Sequence, residues 1–225
     1  MFRIKICGIT NVGDALHAAD AGADTIGLNF YPKSPRCIDT ATAATILATA
    51  PSQLARVGVV VNENVEALNQ LIAELDASST TGLHAIQLHG DEPPSYCAQV
   101  RSKYLIRARR LTDRGISAIA ADLETCDKLR RLPDAVLIDS ASPGQYGGTG
   151  TTVSWAGLAD YRRWLRNVPL ILAGGLTPEN VAEAIRVVRP HGVDVASGVE
   201  SSPGKKDAAK VRDFVAAARA AFAAP

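Results

Sequence analysis

Short apolar runs recur along the chain, separated by longer stretches of alanine, leucine and charge. The runs are Phe2–Cys7, Thr25–Phe30, Arg56–Val61, His84–Leu88, Tyr104–Arg109, Ala135–Asp139, Pro169–Ala173 and Val193–Ala196, each of strand length. Val57–Val61 and Leu170–Ala173 are apolar on both faces, as strands buried in a parallel sheet must be. The stretches between them carry helix signals. Asn11 caps the first and Asp14 supports its first turn, while Thr177-Pro178-Glu179-Asn180 sets a capping hydroxyl before a proline at the first helical position. Eight strand–helix pairs predict an α/β fold, a (β/α)8 barrel forming a single domain over residues 1–225. A doubly wound open sheet is the competing arrangement. Pro51–Gln53 and Ser78–Gly82 read as helix-to-strand loops, Ser201–Lys206 as a loop after the last strand, and Asp207–Phe222 as the final helix.

Composition narrows the partners. The 225 residues carry 24 basic and 23 acidic side chains, a net charge of +1, so no field draws the chain toward nucleic acid or a membrane surface. Arg107, Arg109, Arg110 and the Arg130-Arg131 pair read as solvated faces, with small-anion contacts as the alternative. No apolar run approaches the ~20 residues of a membrane helix. No secretory leader pattern precedes the first strand. Cysteines at 7, 37, 97 and 126 lack zinc or redox spacing, which predicts reduced thiols in a cytoplasmic protein. Histidines and carboxylates show no metal-ligand spacing, so no metal is expected. No exposed apolar stripe is legible, which favours a monomer over a homodimer.

The strand ends hold the candidate chemistry. Alternation puts Lys5 and Cys7 on one face of the first strand and Ile4 and Ile6 on the other. If the isoleucines pack under helices, the Cys7 thiol points inward at the strand's carboxyl end, where barrels do their chemistry. A buried core cysteine is the structural alternative. Arg36, in the proline-stiffened loop Tyr31–Arg36, offers a planar fork for a carboxylate, or is simply a surface arginine. Asp139 ends an apolar strand, where a carboxylate must be paired or poised for proton transfer. His89 follows the fourth strand and either lines the site or is structural. The glycine-rich segment Gly144–Gly150, including Gly147 and Gly148, can approach or close over a ligand. Gly174-Gly175 and Ser197-Gly198 follow the seventh and eighth strands, where barrels commonly hold phosphate through backbone N–H groups.

Lys5–Thr10, Gly27–Phe30, Ser34–Arg36, Gln87–Gly90, Leu137–Asp139, Gly147–Gly150, Ala173–Leu176 and Asp194–Glu200 together resemble the phosphoribosylanthranilate isomerase family of tryptophan biosynthesis, across nearly the whole chain. The resemblance implies an Amadori rearrangement of N-(5-phosphoribosyl)anthranilate to the carboxyphenylamino-deoxyribulose 5-phosphate. In it Cys7 is the general base, Asp139 the general acid, and Arg36 the holder of the anthranilate carboxylate. Gly174, Gly175, Ser197 and Gly198 would hold the phosphate, helped by Gly147 and Gly148. No cofactor is implied, because the reaction moves only protons. A related phosphosugar isomerase serving histidine biosynthesis would carry aspartate where Cys7 stands. A thiol base needs thiolate character, and Lys5, two residues back on the same face, is the expected source of positive charge.

Overall fold

The computed structural model describes residues 2–78, 82–112, 114–139 and 155–224. Its strands are β1 (Ile4–Cys7), β2 (Thr25–Asn29), β3 (Ala55–Val60), β4 (Ala85–Leu88), β5 (Tyr104–Arg110), β6 (Ala135–Asp139), β7 (Leu170–Ala173) and β8 (Gly192–Val195). They pair in parallel in chain order and β8 returns to β1, closing the barrel expected from the apolar runs.

Around it lie α1 (Val12–Ala21), α2 (Thr40–Thr49), α3 (Val65–Ser78), α4 (Pro94–Cys97), α5 (Gly115–Lys128), α6 (Val181–Val188) and α7 (Ala208–Ala223). Their starts follow local chemistry. Asn11 accepts the Asp14 N–H at 2.8 Å, Asp39 accepts that of Thr42 at 2.8 Å, and Asp207 accepts those of Ala209 and Lys210. Gly22 ends α1 at φ 89°, a conformation a side chain would strain.

Three expectations need correction. The strand–helix alternation is irregular: α4 is one turn, and after β6 the described residues hold two 3-10 turns, Trp155–Leu158 and Tyr161–Arg163. Gly157 sits within the first of these, and Arg166 and Asn167 at positive φ stop a longer helix from propagating. The signal at Thr177-Pro178 marks a turn ahead of α6. The Thr177 carbonyl accepts the N–H groups of Asn180 and Val181, and Asn180 Oδ1 accepts that of Thr177. Ser201–Lys206, read as a loop, lies largely in an antiparallel hairpin, β9 (Glu200–Ser202) with β10 (Lys205–Lys206), turned through Gly204 at φ 82°.

Strand alternation builds two cores. Outward positions such as Ile4, Ile6, Ile26, Leu28, Val136 and Leu172 pack beneath the helices. Truncating a wholly buried one such as Ile6 to alanine costs ~2–5 kcal/mol. Inward positions Val57, Ala85, Ile106, Ala108, Ala135, Leu137, Ile171 and Ala173 fill the barrel. The rest of that filling is polar, with Lys5, Thr25 and Asp194 buried on β1, β2 and β8 and Gln87 on β4. Arg107, read from sequence as most simply a solvated face, is also fully buried. From the outer face of β5 it pairs with Asp122 of α5 at 2.6 Å and 2.9 Å and donates to the Glu92 carbonyl.

Candidate active site

The carboxyl ends of the strands surround one pocket. Cys7, Arg36, Asp139, Gly174, Gly175, Ser197 and Gly198, the candidates chosen from sequence, all line it. Asn29, Tyr31, Ser34, His89 and Asp194 complete much of the wall. Gly147 and Gly148 lie outside the described residues.

Cys7 closes β1 with its side chain inward and only 8 % of its surface exposed. Its register partner on β2 is Gly27, and a Cβ there would stand 2.7 Å from the Cys7 Sγ and 3.0 Å from the Lys5 Nζ. Glycine is what lets both side chains enter the barrel. The wholly buried Lys5 Nζ bonds Asp194 Oδ1 at 2.8 Å, so its charge is largely spoken for. Burial would lower the Lys5 ammonium, but Asp194 and the Cys7 thiol outweigh it and raise it. Burial pushes the Cys7 thiol up, against the pull of Lys5, and Asp194 adds to the rise. The expectation that Lys5 poises Cys7 is met in direction but outweighed: the thiol sits above its ordinary range, not below it.

Asp139 ends β6 across the mouth, 7 % exposed, with His89 Nε2 3.6 Å from its Oδ2. His89 Nδ1 lies 2.8 Å from Gln87 Nε2, so when the amide donates, the histidine proton sits on Nε2 and faces Asp139. His89 therefore belongs to the pocket wall.

Arg36 reaches the pocket over Gly8. Gly8 holds φ 75°, and a Cβ there would collide with the Arg36 Cδ, so the stem needs a bare backbone beneath it. Its guanidinium is engaged. Nε donates to Glu200 Oε1 at 2.8 Å and Nη2 to Glu200 Oε2 at 2.7 Å. Glu200 Oε1 also takes the Lys206 Nζ at 2.7 Å. Burial alone would raise the Glu200 carboxyl, but these two cations hold it below its ordinary value. Glu200 and Lys206 were not found from sequence, because the hairpin that brings them to Arg36 read as a loop.

The turns after β7 and β8 meet at the far wall. Gly174 and Gly175 adopt φ 86° and 65°, which turns their backbone across the pocket edge. A Cβ on Gly198 would collide with the Leu176 carbonyl, so this glycine is needed for the two turns to touch, apart from any ligand. Among the described residues no cluster of three or more His, Cys, Asp or Glu could hold a metal ion, and no helix is long and apolar enough to cross a membrane.

The family model described as N-(5'-phosphoribosyl)anthranilate (PRA) isomerase matches residues 4–217. An N-(5'-phosphoribosyl)anthranilate isomerase of Neisseria meningitidis serogroup A is 45 % identical over 218 residues, covering 96 % of each chain. The crystal structure of phosphoribosyl anthranilate isomerase from Thermotoga maritima superposes with a TM-score of 0.82 at 40 % identity, covering 98 % of this chain and 100 % of that one. A second crystal structure, of phosphoribosyl anthranilate isomerase in complex with reduced 1-(o-carboxyphenylamino)-1-deoxyribulose 5-phosphate, gives a TM-score of 0.78 at 38 % identity over the same shares.

Proposed function

This chain belongs to the phosphoribosylanthranilate isomerase family, an isomerase of tryptophan biosynthesis, and we propose that Cys7 and Asp139 are its base and acid. The observation that carries the assignment is that both side chains, from β1 and β6, line one pocket at the carboxyl end of the barrel.

The chemistry follows from the substrate. N-(5-phosphoribosyl)anthranilate is a closed aminoaldose, and its ring opens when the ring oxygen takes a proton as the bond from C1 to that oxygen breaks. Asp139 gives that proton, leaving an open-chain iminium and an aspartate. The Cys7 thiolate then removes the proton on C2. The C–H electron pair becomes a C1–C2 double bond, and the iminium electrons return to nitrogen. The resulting enol tautomerises to the ketone, the carboxyphenylamino-deoxyribulose 5-phosphate. Only protons move, and the chain needs no redox partner for the step.

Arg36 holds the anthranilate carboxylate, and the N–H groups of Gly174, Gly175, Ser197 and Gly198 hold the phosphate. Three observations support this: the four residues sit together on one wall, the glycines at positive φ keep side chains off it, and the relative crystallised with a reduced product analogue shares the fold over nearly its whole length.

The test follows substrate fluorescence in wild type beside Cys7→Ala and Asp139→Asn. Turnover that collapses in both supports the pair. Turnover that survives in either removes that residue from its role.

A further inference from the structure

Arg36 faces the pocket, yet its strongest partner is another side chain of the protein. A guanidinium has two forks, a side-on one made by Nε and Nη2 and an end-on one made by Nη1 and the outer N–H of Nη2. Glu200 fills the side-on fork with both oxygens. Nη1 has no partner among the described residues, so the end-on fork is the one left for a ligand. Glu200 also removes the charge such a ligand needs, because an arginine paired with a carboxylate is close to neutral as a unit.

Lys206 restores it. Its Nζ, in a side chain with no exposure, bonds Glu200 Oε1 at 2.7 Å and the Ala196 carbonyl at 3.1 Å. Within the cluster two cations thus share one carboxylate, a net charge of +1 over Arg36, Glu200 and Lys206. The neighbouring pair Lys5–Asp194 contributes none, and the Lys210 Nζ binds the Glu200 backbone carbonyl, not its carboxylate. Neither Glu200 nor Lys206 lines the pocket. The hairpin that carries them is pinned from two sides: Thr10 Oγ1 donates to the Gly204 carbonyl at 2.7 Å, and the Lys206 N–H donates to Asp14 Oδ2 at 3.0 Å.

We propose that Lys206, acting through Glu200, is a positioning residue for substrate recognition, fixing Arg36 so that its end-on fork receives the aryl carboxylate and supplying the charge that Glu200 cancels. Through the Ala196 carbonyl the same ammonium also ties this clamp to the turn beginning at Ser197. This inference rests on the assignment of the carboxylate to Arg36.

The experiment compares two substrates, N-(5-phosphoribosyl)anthranilate and the aniline analogue that lacks the carboxylate, by chromatographic assay of their isomerisation. Preference is the ratio of the two kcat/KM values. Lys206→Gln keeps a donor for Glu200 and removes the charge. It is expected to lower the preference about tenfold, through KM for the carboxylated substrate with kcat less affected, because the contact is present in ground and transition states alike. Lys206→Arg should restore it. If Lys206→Gln does not fold, Lys206→Met carries the same reading. An unchanged preference in a folded Lys206→Gln or Lys206→Met protein overturns the proposal. Arg36→Gln separates it from its premise. Lost preference in Arg36→Gln beside an unchanged one in the Lys206 variants sinks only the role of Lys206. Unchanged preference in Arg36→Gln sinks the carboxylate assignment itself.

Discussion

Cys7 and Gly27 face each other as register partners on β1 and β2, and the thiol occupies space that any side chain at position 27 would contest. A methyl at 27 would stand 2.7 Å from sulfur, well inside van der Waals contact, in a barrel wall that has little room to move. Gly27→Ala is therefore expected to cost ~1–3 kcal/mol of stability by overpacking. It should also displace the thiol enough to lower kcat on the order of 10²-fold. Urea unfolding and steady-state kinetics on the same preparation check both. Unchanged kinetics would mean that the Cys7 position is not critical.

The Lys5–Asp194 pair gives opposite predictions from its two halves. The base form of Cys7 is the thiolate, so kcat/KM should rise with pH as the thiol ionises, and burial places that rise on the alkaline side of an ordinary thiol. Asp194 raises the thiol, and Lys5 and Lys206 lower it. Asp194→Asn should move the rising limb to lower pH, and Lys5→Met should move it to higher pH. Limbs that move the same way, or not at all, would remove Cys7 as the titrating group. Asp194→Asn also strands a buried ammonium and should cost ~3–5 kcal/mol, whereas Lys5→Met strands a carboxylate.

Asp139→Asn keeps the shape of the side chain beside His89 and removes its acidity. With ring opening unassisted, kcat should fall ~10²–10⁴-fold. Binding of a product analogue, read by calorimetry, should hold near its wild-type value. Loss of binding equal to the loss of rate would point to a holding role in place of proton transfer.

Glu200 predicts a pH dependence of stability. Its folded carboxyl lies below its ordinary value, so the folded state binds fewer protons there than the unfolded chain. Its contribution is complete above the unfolded value of ~4.3 and is lost as pH falls through the folded one. Denaturant midpoints measured from pH 6 down to pH 3 should fall less steeply in Glu200→Gln than in wild type. Parallel curves would show that the Arg36–Glu200–Lys206 cluster adds nothing to folding.

Most of the barrel was readable because each strand of a closed parallel sheet must be apolar outward, and that pattern survives in Ile4/Ile6, Ile26/Leu28 and Leu170/Leu172. Strand ends were readable for the same reason, which is how Cys7, Asp139 and the two glycine turns were located. The irregular units were not. A 3-10 turn at Trp155–Leu158 carries the same residue types as a helix, and Arg107 looks like any surface arginine until Asp122 is placed against it. Glu200 and Lys206 were invisible for a different reason. Arg36, the partner of Glu200, lies 164 residues from it, and no local pattern records a contact that only barrel closure creates. Cys97 and Cys126, given no role from sequence, meet at 4.0 Å between α4 and α5. Hydrogen bonding from the Cys126 thiol is the main effect that lowers Cys97 to about 7.

The bonds that join the hairpin to the first unit have a temporal consequence. Thr10 to Gly204, Asp14 to Lys206 and Lys5 to Asp194 each span 189 residues or more, and together with the β1–β8 pairing they form the seam where the barrel shuts. A growing polypeptide on the ribosome displays the Cys7 strand and Arg36 early, with the ammonium of Lys5 unpaired and the guanidinium unanchored. Neither can be satisfied until the eighth strand and its hairpin have emerged. Such late closure slows folding and leaves open strand edges in the interim, since non-local contacts must repay loop entropy all at once. The same arrangement makes the anchoring of Arg36 and the pairing of Lys5 wait on barrel closure, because residues 194–206 lock residues 5–36.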